Sequence, residues 1–99
     1  MQVVIPIFDR ITALDAVGPY EVLSRLPGAE VVFAALEPGP KRTNTRALAL
    51  HADRALADVP HPAIVVVPGG VGTRELMKDE TLLDWLRTAH ETSDWTTSV

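Results

Sequence analysis

Cysteine is absent from this 99-residue chain. No disulfide framework, thiol chemistry or cysteine-based zinc site can therefore be built from these residues. An excess of positive charge is also missing. Nine Lys and Arg stand against 13 Asp and Glu, a formal net charge of −4, so nucleic acid gains no electrostatic help from this segment. Nor is there a long hydrophobic run: the opening MQVVIPIF lacks a basic lead and is broken at Asp9-Arg10, too short for a signal-peptide core or a membrane span. A cytoplasmic protein without a membrane partner is the expectation. Internal repeats and low-complexity tracts are lacking too. What is present, 46% apolar and 22% charged residues, is the composition of one small globular domain.

Val3 to Phe8 is a continuous, β-branched apolar run, which reads as a strand buried on both faces, with Pro6 as its one discordant residue. Leu14, Val17, Val22, Leu23 and Leu26 then recur near helical spacing, and Pro27-Gly28 supplies stop chemistry. Pro19 inside that pattern either starts the helix proper or kinks it at Gly18-Pro19; the kink is the favoured expectation. Glu30 to Leu36 is a second strand, Lys41 to Arg46 a basic surface loop, and Ala47–Leu50 with Arg54–Leu56 a candidate hairpin arm around His51-Ala52-Asp53. Ala63 to Val67, bounded by prolines and without alternation, has the pattern of a central parallel strand. Asp79 is placed to cap a helix from Glu80 to about Glu91, and Trp95 to Val99 is a last strand. The closing DWTTSV alternates like the start of a buried strand and meets no turn signal. The expectation is a chain that breaks off inside a domain, leaving an edge that further chain must cover.

This alternation predicts an α/β fold with right-handed crossovers and a parallel sheet. In such sheets ligands bind beyond the carboxyl ends of the strands. Three places qualify: Asp9-Arg10 to Asp15 after the first strand, Pro68-Gly69-Gly70-Val71-Gly72 after the third, and whatever follows Val99. The glycine stretch is neither a dinucleotide fingerprint, since Glu75 stands where the third glycine belongs, nor a P-loop, since no Gly-Lys-Ser/Thr follows. Gly69-Gly70 either makes a tight turn or presents bare backbone N–H groups to a ligand. Asp15 either pairs with Thr12 in a capping-box arrangement or carries chemistry. His51, His61 and His90 show no ligand spacing, so no metal site is expected. No serine sits in a Gly-x-Ser-x-Gly elbow.

ALDAVGPYEVL (Ala13–Leu23), VVVPGGVGTRELMKDETLLDWL (Val65–Leu86) and the closing TTSV together resemble the PfpI-type superfamily, which shares its fold with class I glutamine amidotransferases. Within it the segment is most similar to the isonitrile (isocyanide) hydratase branch. The resemblance implies a flavodoxin-like, doubly wound, mostly parallel sheet. Residues 1–99 would be the N-terminal portion of one amidotransferase-like domain. It implies that Asp15 occupies the position of the Glu found in protease- and deglycase-type members, and that Gly69, Gly70 and Val71 line the substrate or oxyanion pocket. It also implies that the Thr-Ser-Val strand runs into a nucleophilic cysteine, expected immediately after Val99 and outside this chain. No cofactor is implied, and a homodimer is.

Two functions follow from the resemblance. One is hydration of an isonitrile to an N-formamide by covalent thiol catalysis, a hydro-lyase activity. The other is a ligand-sensing domain of a helix-turn-helix regulator, since such regulators carry the same kind of domain with a similar Asp-x-x-Gly-Pro stretch. A basic helix-turn-helix about a hundred residues further on would mark the regulator.

Overall fold

The computed structural model describes residues 1–99. Strand β1 (Gln2–Pro6) leads to helix α1 (Ala13–Leu23) and strand β2 (Glu30–Ala35). A hairpin of β3 (Gly39–Arg42) and β4 (Ala49–Ala52) and a two-residue strand β5 (Arg54–Ala55) come next. Beyond them lie β6 (Ile64–Val67), a short helix α2 (Thr73–Leu76), helix α3 (Glu80–Thr92) and β7 (Trp95–Ser98). The main sheet runs β5-β2-β1-β6-β7, all parallel, and the hairpin forms a separate two-stranded sheet. The four principal strands thus have the flavodoxin-like order expected.

β1 is central because its residues are apolar on both faces. Val3, Val4 and Ile5 are fully buried, each contributing roughly 1.5–3 kcal/mol by burial. Val3, Ile5 and Ile7 pack with Ala16 of α1. Val4 points the other way, joining Leu82, Trp85 and Ala89 of α3, and the two helices therefore cover opposite faces. Pro6 is tolerated for a specific reason. The Ile7 N–H donates to Ala34 on β2 at 2.8 Å, so the amide position of Pro6 faces β6, whose pairing with β1 stops at Val4↔Val65.

Asp79 caps α3 as the sequence predicts: its Oδ1 accepts from the N–H groups of Thr81 and Leu82 at 2.9 and 3.2 Å. Trp85 is buried and its Nε1–H donates to the carbonyl of Val59 at 3.2 Å, which joins α3 to the segment entering β6. β7 is exposed along its whole length, with Trp95 67% exposed.

One alternative is settled and two expectations are corrected. α1 begins at Ala13 and runs unbroken across Gly18-Pro19, so Pro19 does not start it; the missing Pro19 N–H only leaves the Asp15 carbonyl without its helical donor. The hairpin pairs Ala49–Ala52 with Gly39–Arg42, so part of the predicted basic loop is a strand. Arg54–Ala55 is instead the edge strand beside β2. Short alanine-rich strands carry too little side-chain pattern to define their partner.

Candidate functional site

The carboxyl ends of β1, β6 and β7 converge on one loop pair. Past β1 the chain turns through Asp9 and Arg10, buries Ile11 completely, and enters α1 with Asp15 in its first turn. Past β6 it turns through Pro68, Gly69, Gly70, Val71 and Gly72 into α2. Ile11 links the two loops and the hairpin, with bridges to Gly70 on one side and to Thr43 on the other.

Gly69 is held at both of its backbone polar groups. Its N–H donates to Asp15 Oδ2 at 3.0 Å, and its carbonyl accepts from the Thr12 N–H at 3.0 Å. The carboxylate of Asp15, half-buried, therefore reaches across to the glycine loop rather than back to its own helix start. The reciprocal capping box with Thr12 does not form, because the Thr12 N–H is already taken by Gly69 and the Thr12 side chain makes no cap. Asp15 Oδ1 has no partner within the chain. That leaves one carboxylate oxygen anchored and one available to a ligand or a proton.

The glycines are explained by proximity. A Cβ on Gly69 would lie 2.9 Å from Asp15 Oδ2 and 3.2 Å from the carbonyl oxygen of Val99, so Asp15 and the end of β7 crowd the same point. Gly70 has φ +141°, and a Cβ there would lie 2.5 Å from the Arg10 carbonyl. On Gly72 it would lie 2.0 Å from the Asp9 carbonyl. The loops could not approach this closely with side chains between them. The tight-turn and ligand-donor readings of the glycines are thus not exclusive. With the Gly69 amide given to Asp15 and the Val71 amide turned toward the Arg10 carbonyl by the Ile11–Gly70 bridge, the N–H of Gly70 is the loop donor left without an acceptor in the chain. Such an amide on a glycine loop is an element of an oxyanion pocket.

The Val99 N–H donates to Val67 at 3.0 Å, keeping the chain beside β6 up to its last residue. A cavity of ≈ 390 Å³ adjoins this point, lined by Val67, Gly69, Thr73, Leu76, Ser98 and Val99 among others. The histidines lie apart. His61 and His90 bond Thr92 and Thr96 at 3.2 and 2.9 Å, and His51 meets Asp53 at 3.4 Å.

Two residues that the sequence places in candidate loops, without assigning them a role, stand out by their backbone. Arg10 and Arg46 are the non-glycine residues with positive φ, 65° and 64°, a conformation costing an ordinary side chain roughly 1–2 kcal/mol. No motif in the sequence marks their left-handed conformation. They become visible only as backbone angles.

The DJ-1/PfpI family model matches residues 1–99. Isonitrile hydratase of Pseudomonas putida is 33% identical over 99 residues, which is all of this chain and 43% of that protein. A THiJ/PfpI family protein from Pseudomonas syringae superposes with a TM-score of 0.91 at 22% identity, covering 98% of this chain and 40% of that one. Oxidized Toxoplasma gondii DJ-1 superposes with a TM-score of 0.82 at 24% identity, covering 98% and 54%. At these identities the structural likeness concerns the fold. The chain spans less than half the length of the curated relative it matches.

Proposed function

The chain belongs to the DJ-1/PfpI family, and from that premise we propose that the complete protein hydrates an isonitrile to an N-formamide through a thiol nucleophile. Residues 1–99 are, on this reading, the N-terminal portion of one amidotransferase-like domain. The nucleophilic cysteine follows Val99. The observation that carries the proposal is the Asp15 carboxylate, anchored through Oδ2 on the Gly69 N–H at 3.0 Å, with Oδ1 free and the end of β7 at the same point. Similarity to isonitrile hydratase supports the choice of reaction.

The thiol proton passes to Asp15, and the thiolate attacks the terminal isonitrile carbon, forming a C–S bond. Asp15 returns the proton to that carbon, giving a thioimidate. Water then adds to the thioimidate carbon as Asp15 takes its proton and passes it to nitrogen. Collapse breaks the C–S bond while the hydroxyl proton passes through Asp15 to the leaving sulfur, which releases the formamide and restores the thiol and the Asp15 carboxylate. The Gly70 amide stabilises the oxygen that develops charge as the tetrahedral adduct forms and collapses. No metal or organic cofactor takes part in this sequence. A homodimer belongs to the proposal, supported by Leu14 and Val22, 74% and 68% exposed on α1, and sedimentation of the complete protein tests it.

Formamide production by the complete protein from a neutral isonitrile, and its loss on thiol alkylation, is the deciding assay. A protein that makes no formamide from any isonitrile offered would end this reading.

A further inference from the structure

Arg10 and Arg46 reach the same place from different loops. Together with Asn44 and Val71 they line a cleft of ≈ 340 Å³. Arg10 stands between β1 and α1, while Arg46 closes the β3–β4 hairpin, its N–H donating to the Thr43 carbonyl at 2.9 Å. A hairpin turn with a left-handed residue ordinarily takes Gly or Asn there. Here, at both left-handed positions outside glycine, the residue is arginine, and such outliers concentrate where function demands them.

Neither guanidinium is paired. The arginines in ion pairs are Arg25, Arg54 and Arg87. Arg42, next to the cleft, donates from Nη1 to the Arg46 carbonyl at 3.2 Å and has no carboxylate partner either. Asp9 is the nearest acid in sequence, and its Oδ1 is occupied by the Arg42 N–H at 3.0 Å. Glu75 lines an adjacent cavity with Arg10 and Lys41 but makes no ion pair with them. In a chain of net charge −4, this cluster of unpaired cations is local.

The cleft also touches the glycine loop. Val71, next to Gly70, lines it. Val71 is two residues from Gly69, where Asp15 is bound, and so at most about 7 Å away, within the reach of one small molecule.

We propose that Arg10, Asn44 and Arg46 form a recognition subsite for a carboxylate carried by the molecule that binds at the glycine loop, so that the preferred ligand is a small anionic compound. Guanidinium forks match a carboxylate in geometry as well as charge. The proposal rests on the hydratase reading only for the rest of the ligand, which there becomes an isonitrile bearing a carboxylate, such as isocyanoacetate, with N-formylglycine as product.

The test is calorimetric binding of N-formylglycine and of neutral N-methylformamide to the complete protein, with turnover of isocyanoacetate and of its methyl ester measured in parallel. N-formylglycine is expected to bind at least tenfold tighter than the neutral amide, and the preference to shrink as salt is raised. Arg10→Asn and Arg46→Asn, which tolerate positive φ, should each weaken N-formylglycine roughly tenfold or more, as losing a charged hydrogen-bond partner does. They should leave N-methylformamide and kcat for the ester unchanged. Arg46→Lys, which keeps the charge without the fork, should recover part of the loss. Equal binding of the two compounds by the wild type, a preference indifferent to salt, or unaltered N-formylglycine binding by folded Asn variants would overturn the subsite. Anion binding that depends on the arginines without any isonitrile turnover leaves the subsite standing and removes the hydratase reading. Turnover of the ester without anion preference does the reverse.

Discussion

Asp15 Oδ2 and the Gly69 amide, 54 residues apart in the chain, meet at 3.0 Å. That bond fastens the start of α1 to the loop after β6 and aims a carboxylate at the end of β7. It gives Asp15 a tertiary role that a helix-capping aspartate does not have.

Replacing Asp15 by Asn preserves an oxygen that can accept from Gly69, so the melting temperature of the complete protein should change little. An amide cannot carry a proton near neutral pH, and formamide production should fall roughly 10²- to 10⁴-fold. Asp15→Ala should lose the activity and also about 1 kcal/mol of stability. Wild-type turnover by Asp15→Asn would refute the acid–base role.

The glycines should rank by what a methyl group meets. Gly72→Ala drives a Cβ to 2.0 Å from the Asp9 carbonyl, and Gly70→Ala combines a 2.5 Å contact with φ +141°. Each is expected to cost about 1–3 kcal/mol or more in chemical denaturation. Gly69→Ala meets chiefly the Asp15 carboxylate, which can swing aside. It should therefore be the mildest of the three in stability and still lose most activity, because Asp15 is displaced. A Gly72→Ala protein as stable as the wild type would show that the two loops do not pack as described.

Trp85→Phe should keep the ring packing of α3 and orphan the Val59 carbonyl, which accepts from Nε1 at 3.2 Å. The expected loss is about 1–3 kcal/mol, read from the denaturant midpoint. Asp79→Ala, removing the cap of α3, should cost about 1 kcal/mol.

Expressed alone, residues 1–99 should associate or remain molten, because β7 presents an uncovered parallel edge and Trp95 is 67% exposed. A sharp thermal transition from a monomer would contradict this. For the complete protein, peptide mass spectrometry across the residue after Val99 should find cysteine; serine, alanine or glycine there would remove the thiol mechanism.

Much of the architecture was legible in the residues. β1, β2 and β6 are continuous apolar runs because strands covered on both faces need no alternation. α3 announced itself through Asp79 and its apolar stripe, since a cap and a 3.6-residue period are local properties. The glycine loop and Asp15 were also identifiable as candidates. Their meaning was not, because a capping aspartate and one bonded to a distant amide look identical in sequence.

The rest depended on contacts between segments far apart in the chain. β4 pairs with β3 and not with Arg54–Ala55, a choice that the weak pattern of its alanines does not announce. Arg10 and Arg46 acquire their left-handed backbones from the turns that bring β1 against the glycine loop and β3 against β4. Composition and periodicity report which residues prefer burial and at what spacing. They do not report which loops will touch, because that is set by the sheet order and by glycines that let two backbones approach within a distance no side chain would allow.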